Sequence, residues 1–353
     1  MLIREFRNDE FIDREKEIAY IKSFIANTPK EILWLYGPKS TGKTTLIEYV
    51  IEQELLNNFK LFNKYWIKYI NFRGLMVGNY DNFVNSFFEK ADDDEDDFSG
   101  EINAAFNLGV IRLEAKLLES VKRKEKNLFN ELIEKLKKIN KTKIIVIDEI
   151  QTLEDVYYNG EKELLKEFLN FCVRLTKELH TSHVIIISSN TIFIERIYND
   201  AKLKVTSRFK KIDHLSQETT LAYLEYKGIE DKEERQLVWD YLGGCIPLIQ
   251  RMLKEKEYFD STHAYLENEL VLARNEIADL ISRFLDDQEY ELFLDVVKNI
   301  IAKSSTLPVK TDKKVLKIID FFAQKEIFFY DPLTREVKGN NRLYEKALER
   351  IIA

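Results

Sequence analysis

The feature that most restricts how this chain can fold is a short apolar run followed by a turn bracketed by two glycines. The segment ILWLYGPKSTGKTTLIEYV occupies residues 32–50. Its apolar start predicts a buried strand over 31–36, and the helical periodicity that follows predicts a helix from about 43 to 56. Such a junction is either an ordinary turn or a loop whose backbone N–H groups surround an anion.

The turn itself fits the phosphate-binding pattern G-x-x-x-x-G-K-[ST]. Glycines let the backbone pass close to phosphate oxygens, and the helix that starts here directs its positive end at the anion. In this pattern Lys43 reaches the β and γ phosphates, and the Thr44 hydroxyl binds Mg²⁺. The predicted phosphate-binding residues are Gly37, Pro38, Lys39, Ser40, Thr41, Gly42, Lys43, Thr44 and Thr45.

A second apolar strand supplies the carboxylates that a magnesium–nucleotide site needs. The segment KIIVIDEI, residues 143–150, ends in Asp148 and Glu149. Asp148 is the predicted metal-side ligand, and Glu149 is the predicted base that takes a proton from an attacking water. An acidic pair at a strand end is common by itself, but the glycine turn about one hundred residues upstream favours the functional interpretation.

Three further places in the sequence can each be interpreted in two ways. Asn190, at the end of HVIIISSN, either orients the attacking water or starts a turn. Arg208, in VTSRFKKID, either contacts a γ-phosphate of its own or a neighbouring chain or forms a surface ion pair. The segment LGGCIP, which ends at Pro247, either ends a helix or lies beside the nucleotide.

The order of elements predicts the architecture. Strands alternate with helices up to a short strand at 209–213, which indicates an α/β three-layer domain over 1–214 with a mostly parallel sheet. The glycine turn makes this a predicted P-loop domain, and the resemblance given below implies that it is an ATPase domain. Helices alone then predict a small helical domain over 215–283. A helix, a hairpin and a closing helix predict a winged-helix domain over 284–353.

Several local predictions accompany this outline. We expect the first helix to use Asp13 as its N-cap. A lysine- and glutamate-rich helix is expected over about 113–138, and the acidic run at 92–97 is expected to be a solvated loop.

Composition and charge restrict the class of protein. Hydrophobic residues make up 45% and charged residues 33%, which is typical of a soluble globular protein. Cys172 and Cys245 lie far apart and predict no disulfide, and no metal-ligand spacing of Cys and His is present. No apolar stretch is long enough for a signal peptide or a membrane span, so we expect a cytoplasmic protein. The net charge of −7 argues against binding of nucleic acid by the whole surface.

Together these motifs resemble the archaeal ATPase family within the STAND branch of P-loop ATPases, which are relatives of the AAA+ proteins. FIDREKEI resembles the opening box of that family, GPKSTGKT its Walker A motif and IIVIDEIQ its Walker B motif. VIIISSN is similar to its sensor-1 strand, GGCIP to its G-G-x-P turn, and IFFYDPLTREVKGNNRLYEKAL to its winged-helix tail. The resemblance covers nearly the whole chain.

The resemblance implies ATP or ADP with Mg²⁺ as ligands. It places Phe11, Ile12 and Arg14 near the adenine and Pro247 near the base or ribose. Asp13 departs from the family, which usually has Gly at this position.

Two functions of different classes are expected to compete. The first is a Mg²⁺-dependent switch protein that hydrolyses ATP slowly and couples nucleotide state to closure of the helical and winged-helix domains. The alternative is a nucleotide-stabilised winged-helix module that binds DNA or protein with little or no turnover. Cations and acids are balanced in the tail, which is weak evidence for DNA, and a phosphotransferase is disfavoured because VIDEIQ suits water as the acceptor. The sequence leaves the partner and the oligomeric state open.

Overall fold

The computed structural model describes residues 2–57, 60–61, 63–73, 80–90, 111–124, 126–154, 156–158, 162–302 and 306–352. The acidic run at 92–97 therefore lies outside the described residues. Among the helices of these ranges, none is both long and apolar enough to cross a membrane.

The first part of the chain forms a five-stranded parallel sheet with helices on both faces. Its elements are β1 (Ile3–Phe6), β2 (Asp9–Ile12), α1 (Glu15–Ala26), β3 (Ile32–Tyr36), α2 (Lys43–Tyr49, continued by a π-helical turn at Val50–Leu55), β4 (Tyr65–Asn71), α3 (Tyr80–Phe87), β5 (Phe88–Lys90), β6 (Ile111–Leu113), α4 (Ala115–Lys122), α5 (Leu128–Lys137), β7 (Thr142–Asp148, followed by a 3₁₀ turn at Ile150–Leu153), β8 (Tyr157–Tyr158), β9 (Lys162–Glu163), α6 (Leu164–Val173, continued by a π-helical turn at Arg174–Glu178), β10 (Ser182–Ser188), α7 (Thr191–Asn199), α8 (Ala201–Lys204) and β11 (Ser207–Lys211).

The sheet has the strand order β11-β3-β10-β7-β4, and every pair in it is parallel. Successive side chains of a strand point to opposite faces, so each central strand contributes to two cores. In β3, Ile32 and Trp34 pack in the core on one face, and Leu33 and Leu35 pack in the core on the other. These layers confirm the predicted α/β three-layer fold.

The second part of the chain is helical and ends in a hairpin between helices. Its elements are α9 (Gln217–Tyr226), α10 (Lys232–Leu242), α11 (Ile246–Glu255, followed by a 3₁₀ turn at Lys256–Tyr258), α12 (Thr262–Phe284), α13 (Asp287–Ile301), α14 (Lys313–Gln324), β12 (Phe328–Asp331), β13 (Glu336–Gly339) and α15 (Arg342–Ile352). We call α9 to α12 the helical region and α13 to α15 with the hairpin the C-terminal module. One apolar core contains residues of both, so a division at 283/284 stays a prediction.

The β12–β13 hairpin is buried on both faces. Phe328 and Tyr330 pack in the core shared by the helical region and the C-terminal module, whereas Phe329 packs in the core of the sheet domain. At the tip, the buried Asp331 accepts a hydrogen bond from the Tyr36 hydroxyl at 3.1 Å and pairs with the Lys211 ammonium at 3.2 Å. The C-terminal module therefore docks on the strands that lead into the glycine turn.

Two local predictions were wrong. The first helix begins at Glu15 rather than after an Asp13 cap, because Asp13 and Arg14 both adopt the left-handed conformation as the chain leaves β2. The helix expected over 113–138 consists of two helices, α4 and α5, separated by a break in which Lys124 has a φ of 63°. Asn127 then caps α5 through its side chain.

Candidate functional site

The carboxyl ends of the parallel strands border a cavity of about 370 Å³. Residues 39–45 of the glycine turn line one end, together with Asp148, Glu149 and Arg73. A mainly apolar strip from β2 and the helical region lines the other end. The volume lies within the range of small-molecule sites.

The two glycines of the turn answer different steric demands. A Cβ on Gly37, whose φ is 149°, would lie 2.0 Å from the Ile212 carbonyl oxygen. Gly42, with a φ of 78°, is the left-handed residue from which α2 starts, and a Cβ there meets no atom within 4 Å. Close packing therefore requires glycine at 37, and backbone conformation favours it at 42.

Lys43 is buried inside the turn that it belongs to. Its ammonium donates to the carbonyl oxygens of Gly37 at 3.1 Å and Pro38 at 2.7 Å. Burial lowers the pKa of Lys43 to about 8, although the nearby carboxylates of Asp148 and Glu149 oppose the shift. A cation enclosed by carbonyl oxygens at the start of a helix gives this end of the cavity a strong preference for anions.

Asp148 and Thr44 meet as the two sequence motifs predict. The Thr44 hydroxyl donates to Asp148 Oδ2 at 2.7 Å, and the Tyr69 hydroxyl donates to the same oxygen at 3.3 Å. Burial raises the pKa of Asp148, and these hydrogen bonds counteract the shift. The strand order explains why Thr44 and Asp148 are close. Strands β3 and β7 flank β10 and run parallel to it, so their carboxyl ends lie at the same edge of the sheet.

These oxygens are suitable for a magnesium ion. Thr44 and Asp148 provide two hard oxygen donors, and Mg²⁺ is commonly held by one or two protein oxygens with phosphates and water completing its shell. Within the described ranges no group of three or more His, Cys, Asp or Glu side chains is arranged to hold a metal. The donor set therefore fits a metal that a nucleotide shares and not an all-protein metal cage.

Glu149 lies beside Asp148 in a left-handed backbone conformation with a φ of 58°. One carboxylate oxygen pairs with the Arg73 guanidinium, and the other accepts a hydrogen bond from Gln151 Nε2 at 2.5 Å. Its side chain is 14% exposed, whereas that of Arg73 is 67% exposed. Glu149 therefore lines the cavity, and one of its carboxylate oxygens is paired with a long, solvent-exposed arginine side chain. Exposed ion pairs of this kind are weak.

The apolar end of the cavity is formed by Phe11, Ile12, Leu215, Ile246 and Pro247. Phe11 is buried and stacks on the Tyr49 ring with 4.1 Å between centroids. The Gly–Gly pair before Pro247 ends α10 and also borders the cavity, and its place beside a nucleotide stays a prediction. A Cβ on Gly244, which lines the cavity, would lie 2.0 Å from the Leu215 carbonyl oxygen.

The opening box braces the turn as well as lining the cavity. Arg14 donates from Nη2 to the carbonyl oxygens of Thr41 at 2.9 Å and Asp213 at 2.8 Å, so its guanidinium lies against the phosphate turn. Asp13 has a φ of 59°, which explains why glycine suits the position, and its carboxylate accepts a hydrogen bond from the Thr219 hydroxyl at 2.9 Å. The chain thus keeps the left-handed turn while linking it to the helical region.

Four predicted residues are not among those that line the cavity. Gly37 and Pro38 accept hydrogen bonds from the Lys43 ammonium through their carbonyl oxygens; the other two are Asn190 and Arg208. Asn190 uses its side-chain oxygen to cap α7, accepting from Phe193 N at 3.0 Å, and its role with water stays a prediction. Arg208 pairs with Leu33 in the sheet register and forms an ion pair with Glu31, at the amino end of the strands. A contact between Arg208 and a γ-phosphate bound to the same chain is therefore ruled out by position, and a contact in a neighbouring chain stays a prediction.

The sequence analysis missed three residues whose side chains bond to Asp148 or Glu149: Arg73, Tyr69 and Gln151. Tyr69 and Arg73 come from the end of β4, which pairs with β7 so that Asn71 is opposite Asp148. Strand order is not encoded in a local pattern, so no motif indicated these two residues. Gln151 lies two residues after Glu149, and its place in DEIQ was the available signal.

Comparison with known proteins finds a family and relatives that cover most of the chain. Residues 11–252 match a family described as an ATPase domain predominantly from Archaea. An uncharacterized ATP-binding protein of Methanocaldococcus jannaschii is 32% identical over 353 residues, which cover 97% of each chain. An uncharacterized ATP-binding protein of Pyrococcus abyssi is 29% identical and covers 97% of this chain and 98% of its own.

The solved structures to which the chain is similar have lower sequence identity. The Orc1 protein of Aeropyrum pernix, in complex with DNA, has a TM-score of 0.47 and 18% identity over 96% of this chain and 93% of its own. Cdc6p of Pyrobaculum aerophilum has a TM-score of 0.42 and 14% identity over 96% of this chain and 93% of its own.

Proposed function

The chain belongs to the family of ATPase domains found predominantly in Archaea, and we propose that it is a magnesium-dependent ATPase that hydrolyses ATP slowly and acts as a switch. The observation that carries this proposal is the cluster at the phosphate end of the cavity. There the Thr44 hydroxyl bonds to the Asp148 carboxylate, and the buried Lys43 ammonium interacts electrostatically with Asp148 and Glu149.

The chemistry of the cavity sets the orientation of the nucleotide. Phosphates suit the end with backbone N–H groups and the Lys43 ammonium, so the base belongs at the apolar end near Phe11, Ile246 and Pro247. Thr44 and Asp148 would hold Mg²⁺, which supplies neutralisation of phosphate charge when bound. Both placements agree with ATP or ADP as the ligand.

Glu149 is the proposed general base. Its carboxylate lies at the carboxyl end of β7, beside the phosphate end of the cavity, and a proton from the attacking water would pass to one of its oxygens. Both oxygens are already engaged, one by Arg73 and one by Gln151. Because a base with both oxygens occupied is a poor acceptor, the arrangement supports slow turnover.

The C-terminal module is the proposed reporter of nucleotide state. Asp331 is hydrogen-bonded to Tyr36, the residue that precedes the phosphate turn, and Lys338 pairs with Asp213 at 2.9 Å. Burial alone would raise the pKa of Asp213, but the Lys338 ammonium and its hydrogen bond lower it to about 2. A change in the turn therefore alters contacts that hold the module, which is the kind of element a switch requires.

The same docking bears on a DNA or protein partner. The hairpin is buried on both faces, and α14 packs against α7 of the sheet domain. A partner of the hairpin or of that face of α14 needs the module to detach. We propose that partner binding, whether to DNA or to protein, favours the detached state.

ATP hydrolysis by the purified chain tests the function. We expect turnover that requires Mg²⁺, is lost in Glu149→Gln and Lys43→Ala, and is unchanged in Glu178→Gln and Lys177→Ala, which replace exposed residues away from the cavity. Glu149→Gln should still bind ATP. Tight binding without turnover, with or without duplex DNA, would instead support the nucleotide-stabilised binding module, and absence of binding would remove the site.

A further inference from the structure

One backbone group of the phosphate turn is bonded to the C-terminal module. The N–H of Lys39 donates to Asn340 Oδ1, at an N–O distance of 3.3 Å. Lys39 lines the cavity, and Asn340 follows β13 with only 8% of its surface exposed. No sequence motif of the chain assigns a role to Asn340.

Asn340 is fixed in place by its own backbone. Its N–H donates to the Ile327 carbonyl oxygen at 2.8 Å, and its carbonyl oxygen lies 3.0 Å from His214 Nε2. Burial lowers the pKa of His214 to about 4, so the imidazole is neutral at pH 7 and Nε2–H is the donor to that carbonyl. The amide of Asn340 is therefore presented to the turn by a rigid support and not by a flexible loop.

Another contact between the same two regions is weaker. The Lys39 ammonium and Glu326 Oε2 are 2.5 Å apart, but both side chains are nearly half exposed, at 47% and 45%. Exposed ion pairs of this kind contribute little. The contact of Asn340, whose own side chain is buried, is therefore the better candidate for transmitting a change in the turn.

The Lys39 N–H has a single hydrogen to donate. Backbone N–H groups of such a turn are also the donors that surround a bound phosphate. A ligand oxygen that approaches Lys39 therefore competes with Asn340 for the same hydrogen. When two ligands compete for one group, each lowers the affinity of the other by the same factor.

We propose that Asn340 is a positioning residue that couples the terminal phosphate to docking of the C-terminal module. This inference rests on the proposed function of the site. Docking through Asn340 is compatible with a nucleoside diphosphate, and a triphosphate weakens it by taking the Lys39 N–H. Asn340 thereby lowers the affinity of the chain for triphosphate relative to diphosphate.

The test compares the affinities of adenylyl imidodiphosphate and ADP, each with Mg²⁺, in full-length variants. Asn340→Leu has a similar shape without the hydrogen bond, and Asn340→Asp keeps an acceptor oxygen. Asn341→Leu is the matched control, because it removes the hydrogen bond from Tyr344 N to Asn341 Oδ1 at 3.1 Å within the same module and leaves the turn untouched. It reports the effect of destabilising the module alone.

We expect Asn340→Leu to raise the triphosphate-to-diphosphate affinity ratio by about two- to tenfold, the effect of one neutral hydrogen bond. Asn340→Asp should leave the ratio at or below that of the wild type, and Asn341→Leu should leave it unchanged. Hydrogen exchange of the segment 327–340 should be faster with the triphosphate analogue than with ADP in the wild type, and this difference should vanish in Asn340→Leu.

Equal ratios in Asn340→Leu and Asn341→Leu would overturn the inference while leaving the ATPase proposal intact. A lower ratio in Asn340→Leu would also overturn it, since Asn340 would then assist the triphosphate. Failure of the wild type to bind either nucleotide would remove both proposals.

Discussion

The buried carboxylate of Asp331 gives the most direct test of how the C-terminal module is held. It is 1% exposed and accepts hydrogen bonds from the Tyr36 hydroxyl and from Leu333 N, each at 3.1 Å, and it pairs with Lys211 at 3.2 Å. Asp331→Asn keeps the shape but places an N–H₂ group where one carboxylate oxygen stood. One of the donors then faces a donor, and the Lys211 ammonium loses a counter-charge.

The expected loss of stability depends on which contacts of Lys211 remain in the variant. Breaking a fully buried ion pair costs about 3–5 kcal/mol, and losing one hydrogen bond to a charged group about 1.5–3 kcal/mol. Lys211 is only 24% exposed but retains Asp213 at 3.4 Å, so its charge is not left alone. We therefore expect Asp331→Asn to lower the free energy of unfolding by about 2 kcal/mol, near the middle of the hydrogen-bond range.

Urea unfolding at pH 7, followed by circular dichroism, measures this difference. Asp295→Asn is the matched control, because Asp295 pairs with Lys298 at 3.4 Å with both side chains more than half exposed. We expect less than about 0.5 kcal/mol there. A change in Asp331→Asn as small as that in the control would refute the docking described for the hairpin.

Three more predictions test separate parts of the structure. Arg73→Ala should raise the ATP turnover number by up to about fivefold, because freeing Glu149 from a two-thirds exposed partner releases no more than about 1 kcal/mol; a hundredfold loss in a steady-state assay would contradict this. Burial and a neighbouring carboxylate raise the pKa of Asp320 from 3.8 to about 6, so the stability of the folded chain falls as the pH rises through this window. Asp320→Asn should therefore increase the free energy of unfolding by about 1 kcal/mol at pH 7, after allowance for the partial exposure of Asp320, and by much less at pH 4. Equal increases at both pH values, measured by urea unfolding, would contradict a raised pKa of Asp320. Gly37→Ala should lower the free energy of unfolding by well over about 3 kcal/mol, because the added Cβ has no room. Gly42→Ala should lower it by about 1–2 kcal/mol, from backbone strain alone. Equal losses of stability in the two variants, measured by thermal unfolding, would contradict this difference.

The central part of the fold was predictable because its signals are local. The run ILWLY, the glycine turn and the helix after it lie next to one another in the chain, and the structure places β3 at Ile32–Tyr36 and α2 from Lys43. The approach of Asp148 to Thr44 was also predictable, since both follow buried parallel strands whose carboxyl ends share an edge.

The elements that were missed depend on pairing between distant or weakly patterned segments. The β1–β2 hairpin, with the turn residues Arg7 and Asn8 at positive φ, has strands of only four residues and many charges, so no alternation marked it. The break at Lys124 interrupts a stretch whose composition suits one helix. Arg73 was missed because its position beside Glu149 depends on which strand pairs with β7.

The conformation of the phosphate turn is determined by tertiary contacts from three parts of the chain. Arg14, from the opening box, binds the Thr41 carbonyl oxygen, Ile212 packs against Gly37, and Asn340 accepts from Lys39. Local sequence specifies a turn of the right length, but these contacts select its shape. Any ligand that reshapes the turn must therefore change the free energy of contacts made by the opening box, by the segment after β11 or by the C-terminal module. By linkage, those parts of the chain change the affinity for the ligand. A binding site supported from such distant parts of the chain is for this reason suited to a switch as well as to catalysis.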